Sequence, residues 1–427
     1  MKLKLILCLF FLLIGCQGQQ IRQFPWMSSE TESGVHDVRL IRGVMLLPLS
    51  GKSQSIGEAF QNSGMMALQE RPHSPMQLIF LDTKGTPEGT REAWQTAKEQ
   101  NPDVIIGPVF GPELTALKQE GVSVPILSFT TNHELLDRNV YSMGILIPNQ
   151  VERLVRFMCE AGQKRIAVIG PEDKTGELTM NRLVKTIERC PGMTLDKVSL
   201  YKPDTTNFNS AVLKIVPKPI NPKKKNLTPE EQELLATPMA DRLTFDALFV
   251  FEDGVKLQQV ISLMAYYDVN PKVVPFYGLA NWETAKDRSL IGGYYTATPP
   301  DRMKKFMNRY RTIYGKNPPR IASLAYDAVS LMSLLAERQA LSASDLTQAI
   351  GFNGVNGRFR LNPDGMNEHL LEIHQKTTAS RSVTISPEPD AFPDPDEAFP
   401  APLPPEPEQS EADLNIDLPL PETPPAN

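Results

Sequence analysis

Histidine is scarce in this chain, with five in 427 residues, and cysteine scarcer still, with four. The histidines, His36, His73, His133, His369 and His374, form neither a His-x-x-x-His nor a His-Glu-x-x-His pair. No Cys-x-x-Cys is present, so the spacings that hold zinc are missing and no metal site is implied. No Gly-x-Ser-x-Gly elbow and no phosphate-binding glycine loop occurs, and no cofactor is implied. Glu252-Asp253 is a paired carboxylate at a strand end, and sequence alone shows nothing that would tune it for acid–base chemistry. The chain therefore reads as a binding or regulatory module, not an enzyme. Basic stripes with interleaved aromatics are also lacking, which excludes a nucleic-acid partner.

Composition is otherwise ordinary for a globular protein, at 41% hydrophobic and 22% charged, with length for two domains. Charge is distributed unevenly. Residues 387–427 hold eleven acids, thirteen prolines and no Lys or Arg, so the first 386 residues carry +5 although the whole chain carries −6. So few aliphatic groups cannot repay the entropy of ordering, and residues 386–427 read as a disordered, polyproline-biased tail. It could serve as an arm reaching toward a partner or simply as a solubilising segment.

The amino terminus carries the most specific local pattern. Lys2 and Lys4 precede an apolar run from Leu5 to Ile14, too short for a permanent membrane span. The run ends in Leu13-Ile14-Gly15-Cys16, which resembles the lipobox of bacterial lipoproteins. That resemblance implies a signal peptide over 1–15, cleavage before Cys16, and a lipid on its sulfur that makes the membrane a partner. Gln17, in place of Asp, is similar to the enterobacterial pattern for the outer membrane. Residues 16–39 read as a tether. Cys8 departs with the signal, which leaves Cys159 and Cys190 in an oxidising compartment, either as a disulfide or as two buried thiols.

From Leu40 onward short apolar strands alternate with helical stretches. Ile41–Leu47, Gln77–Leu81, Val104–Gly107, Pro125–Ser128, Arg165–Gly170, Ala247–Phe251 and Val273–Tyr277 read as strands. Nearly continuous apolar strands separated by helices predict parallel sheets covered on both faces. There are too many for one sheet. The fold class is therefore α/β, with two doubly wound parallel sheets, over 40–385. Residues 217–241, with three prolines, a Lys223-Lys224-Lys225 run and Thr228-Pro229-Glu230-Glu231, read as a surface insertion with a short capped helix.

Several segments, taken in order, resemble type I periplasmic binding proteins of the leucine-binding kind. They are Val44–Gly51, Ile105-Ile106-Gly107-Pro108, Ala325-Tyr326-Asp327-Ala328, and Phe352–Gly365. The resemblance implies two parallel-sheet lobes with a hinge, lobe 1 at about 40–148 and 315–375 and lobe 2 at about 149–314, that close over a ligand at the carboxyl ends of their strands. Ser50, Gly51, Gly107, Pro108, Ser128, Thr130, Thr131, Glu252, Asp253 and Tyr277 fall at such ends and are the expected cleft residues. Singly, each Ser, Thr or Gly could equally be a turn or a cap. Asn139–Gly144, Gln150–Val155 and Lys164–Pro171 are similar to penicillin-binding-protein activator lipoproteins. That likeness implies a docking regulator of a bifunctional peptidoglycan synthase. The alternative is a solute-binding lipoprotein that serves an ABC permease and holds an amino acid or other small polar ligand. Val109-Phe110-Gly111 and Thr175 stand where amino-acid receptors carry a serine-rich turn and an aromatic clamp, whereas Thr131-Asn132-His133-Glu134-Leu135 keeps their floor segment.

If Cys16 is the acceptor, Cys16→Ser should stop both processing and acyl labelling and move the protein from the membrane to the soluble fraction. A Cys16→Ser protein that still takes up labelled fatty acid would rule the assignment out.

Overall fold

The computed structural model describes residues 38–394 and 397–399. The signal segment, Cys16, nearly all of the tether and residues 400–427 lie outside them.

Strands β1 (Ile41–Leu47), β2 (Met76–Asp82), β3 (Val104–Ile106), β4 (Ile126–Ser128) and β5 (Val140–Ser142) form a parallel sheet in the order β2-β1-β3-β4-β5. β6 (Arg165–Pro171), β7 (Thr194–Tyr201), β8 (Ala247–Val250), β9 (Phe276–Gly278) and β10 (Tyr294–Ala297) repeat that arrangement as β7-β6-β8-β9-β10. Five residues of β1 in succession, Gly43 to Leu47, are buried, as are all four of β8, because helices cover both faces. β11 (Phe352–Gly354), β12 (Gly357–Leu361) and β13 (Asn367–His369) make a small antiparallel sheet whose Phe352, Phe359 and Leu361 join the lobe 1 core. β14 (Glu372–Lys376) then adds antiparallel to β10, and β15 (Ser382–Ser386) to β14, which extends the lobe 2 sheet to seven strands.

The chain thus crosses between lobes three times: after β5, after β10 and after β13. Two expected boundaries move. Helix Pro300–Tyr314 packs Met303, Phe306 and Tyr310 against Met66 of helix Gln54–Gln69, so it belongs to lobe 1 and not lobe 2. β14 belongs to lobe 2, although it follows the closing hairpin of lobe 1. Neither shift shows in hydrophobic period, because each concerns where a segment docks.

β5, β7 and β10 are strands the sequence reading did not single out. β5 is three residues long, and β7 is an edge strand with a half-exposed alternating pattern, weaker as a signal than a continuous apolar run. The 217–241 insertion has its short helix at Pro229–Ala236. The Thr228 hydroxyl accepts from the Glu231 amide and the Glu231 carboxylate accepts from the Thr228 amide. Lys224 pairs with Glu231 within the same segment.

The crossovers are tied by polar groups. The Asn367 side-chain amide donates to the Ser142 and Gly144 carbonyls, both at 2.7 Å, joining the first crossover to the third. Arg153, buried in helix Ile147–Glu160, donates to the Leu371 carbonyl at 2.8 Å and to the Ser386 hydroxyl at 2.5 Å. Burial lowers its guanidinium to about 10. His369, at the end of β13, stacks on Phe359, and burial lowers its ring to about 4, so it is neutral at physiological pH.

The tail expected from residue 386 does not leave the body there. Residues 387–394 and 397–399 lie against it, through Phe392 over Arg360 and a buried Phe399. Two aromatics spaced seven residues apart supply apolar surface that the acidic, proline-rich average conceals.

Cys159 and Cys190 are joined by a disulfide, with Cα atoms 5.9 Å apart across 31 residues of sequence. The bridge links the end of helix Ile147–Glu160 to the turn before β7 and encloses β6. Closing such a loop restricts the unfolded chain and stabilises the fold by about 3.7 kcal/mol. Replacing both cysteines with alanine should lower stability in urea by that amount, while an unchanged midpoint would show that the folded protein does not depend on the bridge.

Candidate functional site

In each lobe the strand order reverses between the first and third strands, at β1/β3 and β6/β8. A crevice opens outside the carboxyl ends at such a point. The lobe 1 crevice is built by loops that bond tightly to one another. The Asp82 carboxylate, at the end of β2, accepts from the amides of Leu49 at 2.8 Å, Ser50 at 3.2 Å and Lys84 at 2.7 Å. Burial pushes its pKa up, but the Ser50 hydroxyl and those three amides outweigh that and hold it below the ordinary value. Gly51 follows at φ +77° and opens the turn into helix Gln54–Gln69.

Gly107 has φ +101°, and a Cβ there would lie 2.4 Å from the Leu46 carbonyl oxygen, so only glycine lets β3 end so close to β1. The Pro108 carbonyl accepts from the Ser128 hydroxyl at 3.2 Å and the Phe129 amide at 3.1 Å. Ser128 is fully buried, and its oxygen also accepts from the Thr130 amide. Ser142 donates to the Thr130 carbonyl at 2.8 Å, and the Thr130 hydroxyl accepts from the Asn132 amide. Ser128 and Thr130 thus shape the loop that carries the exposed Thr131. Glu113, buried under this wall, bonds to the Thr83 hydroxyl and the Phe110 amide. Burial raises its pKa more than those donors lower it.

On lobe 2, Glu252 is buried at the end of β8. Its carboxylate accepts from the Tyr201 hydroxyl at 2.6 Å and the Asp253 amide at 3.0 Å. Burial, then the bond and charge of Glu252, push the Tyr201 hydroxyl far above its ordinary range, which keeps it a donor. Asp253 is exposed at the start of helix Gly254–Tyr266, and its side chain does not cap that helix. Tyr277 is a correction. It lies inside β9 and not beyond it, so its ring points into the core, 1% exposed and stacked on Tyr294 with centroids 5.5 Å apart. The strand end that faces the crevice begins two residues later, at Leu279.

Between the lobes is a cavity of about 460 Å³. Thr130, Thr131, Asn132 and Glu134 line it from lobe 1, and Lys174, Thr175, Glu177 and Asn181 from lobe 2. Lys174 and Glu134 form an ion pair across its mouth at 3.1 Å. Of the expected residues only Thr130 and Thr131 line this cavity; Ser50, Gly51, Gly107, Pro108, Ser128, Glu252 and Asp253 lie in the loops behind or beside it. Lys174, Glu177 and Asn181 were missed, because helix Lys174–Ile187 meets the 130–134 loop only when the lobes are juxtaposed; Asn132 and Glu134 belong to the floor segment but were not among the expected cleft residues. The floor motif Thr131–Leu135 was the signal that could have found the lobe 1 half. Hydroxyls, amides and one ion pair equip the cavity to hold a small polar molecule. Among the described residues no group of three or more His, Cys, Asp or Glu could hold a metal ion.

A family model described as "Periplasmic binding protein" matches residues 43–380. Among solved structures, a protein assigned to a branched-chain amino acid ABC transporter of Rhodospirillum rubrum superposes with a TM-score of 0.64 at 17% identity, covering 81% of this chain and 100% of that one. A branched-chain amino acid ABC transporter periplasmic ligand-binding protein of Burkholderia xenovorans LB400 gives 0.60 at 13% identity, covering 82% and 95%. A solute-binding protein of R. palustris in complex with benzoate gives 0.52 at 17% identity, covering 84% and 99%. Such identities establish a shared fold. No curated protein sequence matches the chain.

Tyr201→Phe removes one of two donors to a buried carboxylate and should cost about 2 kcal/mol at neutral pH, read by urea denaturation. No loss would mean that water replaces the hydroxyl.

Proposed function

We propose, from the premise that this chain belongs to the periplasmic binding protein family, that it captures a small polar solute between its lobes and delivers it to the membrane permease of an ABC transporter. Family members act in the periplasm and normally bind ligands without transforming them. The observation that carries the reading is the inter-lobe cavity of about 460 Å³, lined from both lobes. Its size falls within the range of small-ligand sites, about 300–1,000 Å³. Its Lys174–Glu134 pair, Glu177 and the surrounding hydroxyls and amides suit a small polar solute that carries both charges, such as an amino acid. Among the described residues no helix is long and apolar enough to cross a membrane. A lipid on Cys16 would supply the anchor; the outer-membrane destination that Gln17 resembles belongs to the docking-regulator reading.

The docking regulator of peptidoglycan synthesis has the support of the 139–171 motifs alone. The three solved structures named above are described as ABC transporter proteins, which favours the solute-binding reading.

The test is a thermal-shift and native mass-spectrometry screen of the mature chain with amino acids and aromatic carboxylates. A ligand at about 100 times its Kd should stabilise the fold by about 2.7 kcal/mol. Asn181→Ala together with Thr131→Ala should weaken that ligand at least about tenfold, since each buried polar partner lost costs about 1–3 kcal/mol. A screen of folded protein that shifts with no member of either class would overturn the reading and leave pull-downs of peptidoglycan synthases as the next step.

A further inference from the structure

Beyond β15 the chain leaves lobe 2, crosses lobe 1 and returns. At its start the Pro387 carbonyl accepts from Arg153 of lobe 2. Glu388 then takes the Arg358 amide at 2.6 Å and pairs with Arg302 at 3.0 Å. The Asp390 carbonyl accepts from the Arg358 guanidinium at 2.5 Å, and the Phe392 ring lies 4.7 Å from the Arg360 guanidinium. Arg302, Arg358 and Arg360 all stand on lobe 1 elements. On the return, the Asp394 and Glu397 carbonyls accept from Arg189 at 2.8 and 3.0 Å, and the Phe399 amide donates to the Arg189 carbonyl at 2.9 Å. The Phe399 ring is 4% exposed, with Arg189 and Arg156 at 4.5 and 5.7 Å. Arg156 and Arg189 belong to lobe 2.

We infer that residues 387–394 and 397–399 are a strap that ties lobe 1 to lobe 2 beside the hinge and sets the angle between them. A small void lined by Arg153, His369, Leu371, Pro389 and Phe392 separates it from the third crossover. Hinge closure rotates one lobe against the other through backbone changes in the crossovers. A fourth tie, anchored on both lobes, must then stretch or detach. Stretching is opposed, because Pro387, Pro389 and Pro393 each fix φ near about −65°. Detaching is feasible, because most anchors are single bonds to partly exposed arginines, which are weak one at a time. Strap docking and the lobe angle are therefore linked. A ligand that favours a different angle loosens the strap, and removal of the strap changes that ligand's affinity by the same factor. This last step rests on the solute-binding reading; the tie between lobes does not.

The experiment places nitroxide labels at Thr115→Cys on lobe 1 and Lys185→Cys on lobe 2, both exposed, in the full processed chain. Pulsed electron resonance then measures the inter-lobe distance without ligand. The strapped protein should give one narrow distribution. Glu388→Gln combined with Phe399→Ser should make it about twofold broader or add a second population. If the double variant does not fold by circular dichroism, Glu388→Gln alone serves and should broaden it in the same sense. An unchanged distribution in either folded variant overturns the strap. A ligand hit together with unchanged distances would sink the strap and keep the solute reading, whereas broadening with no hit would do the reverse.

Discussion

Each lobe is built on a parallel sheet that must be covered on both faces, and that requirement decides where polar chemistry can go. Strands such as β1 and β8 are apolar almost throughout because both sides of the sheet meet helices. Polar side chains are left the strand ends, the loops beyond them and the starts of the helices. With the same strand order in both lobes, two switch points arise, and the cavity lies beside them, between the loop after β4 and the helix after β6. At identities of 13–17% the neighbours keep this architecture, because many apolar side-chain sets can fill such a core while the strand order stays the same.

The second consequence concerns the crossovers. A segment passing between two cores carries backbone polar groups that neither core can satisfy, so they need partners of their own. Asn367 and Arg153 supply them, by donating to carbonyls of the first and third crossovers. The cost of burying these groups is visible in the Arg153 guanidinium, lowered to about 10, and the His369 ring, lowered to about 4. The strap lies over the same region and uses the same logic, with arginines of both lobes meeting backbone carbonyls. The hinge is a polar, specified structure and not a bare flexible linker.

A third point concerns hydroxyls near a cleft. Ser128, Thr130 and Ser142 stand where ligand contacts would be sought, yet their bonds run from loop to loop. Their bonds hold Thr131 and Asn132 in place at the edge of the cavity. Glu252 is similar, because a carboxylate already met by Tyr201 and by its neighbour's amide has little left to offer a ligand. Residues at strand ends therefore divide into those that shape the site and those that line it.

That division marks the boundary between what could be read from residue order and what could not. The α/β class, the two parallel sheets, β1, the strand-end glycine at Gly107 and the capped helix after Thr228 are local properties. They depend on hydrophobic period, on φ and on caps, all of which the sequence carries in contiguous stretches. The docking of helix Pro300–Tyr314 on lobe 1, the addition of β14 to lobe 2 and the inward turn of Tyr277 depend on which distant surface each segment meets. The joining of Cys159 to Cys190, left open by their spacing, required the end of one helix and the start of β7 to come within reach. Asn132 and Asn181 become one site only when two lobes with separate cores are set face to face. Phe392 and Phe399 become anchors only because arginines from both lobes wait beneath an acidic, proline-rich segment. Sequence by itself determined the strands, helices and caps from which two sheets are built, since periodicity and turn chemistry act over a few residues. Tertiary structure alone decided the cavity and the strap, since both are made of contacts between residues far apart in the chain.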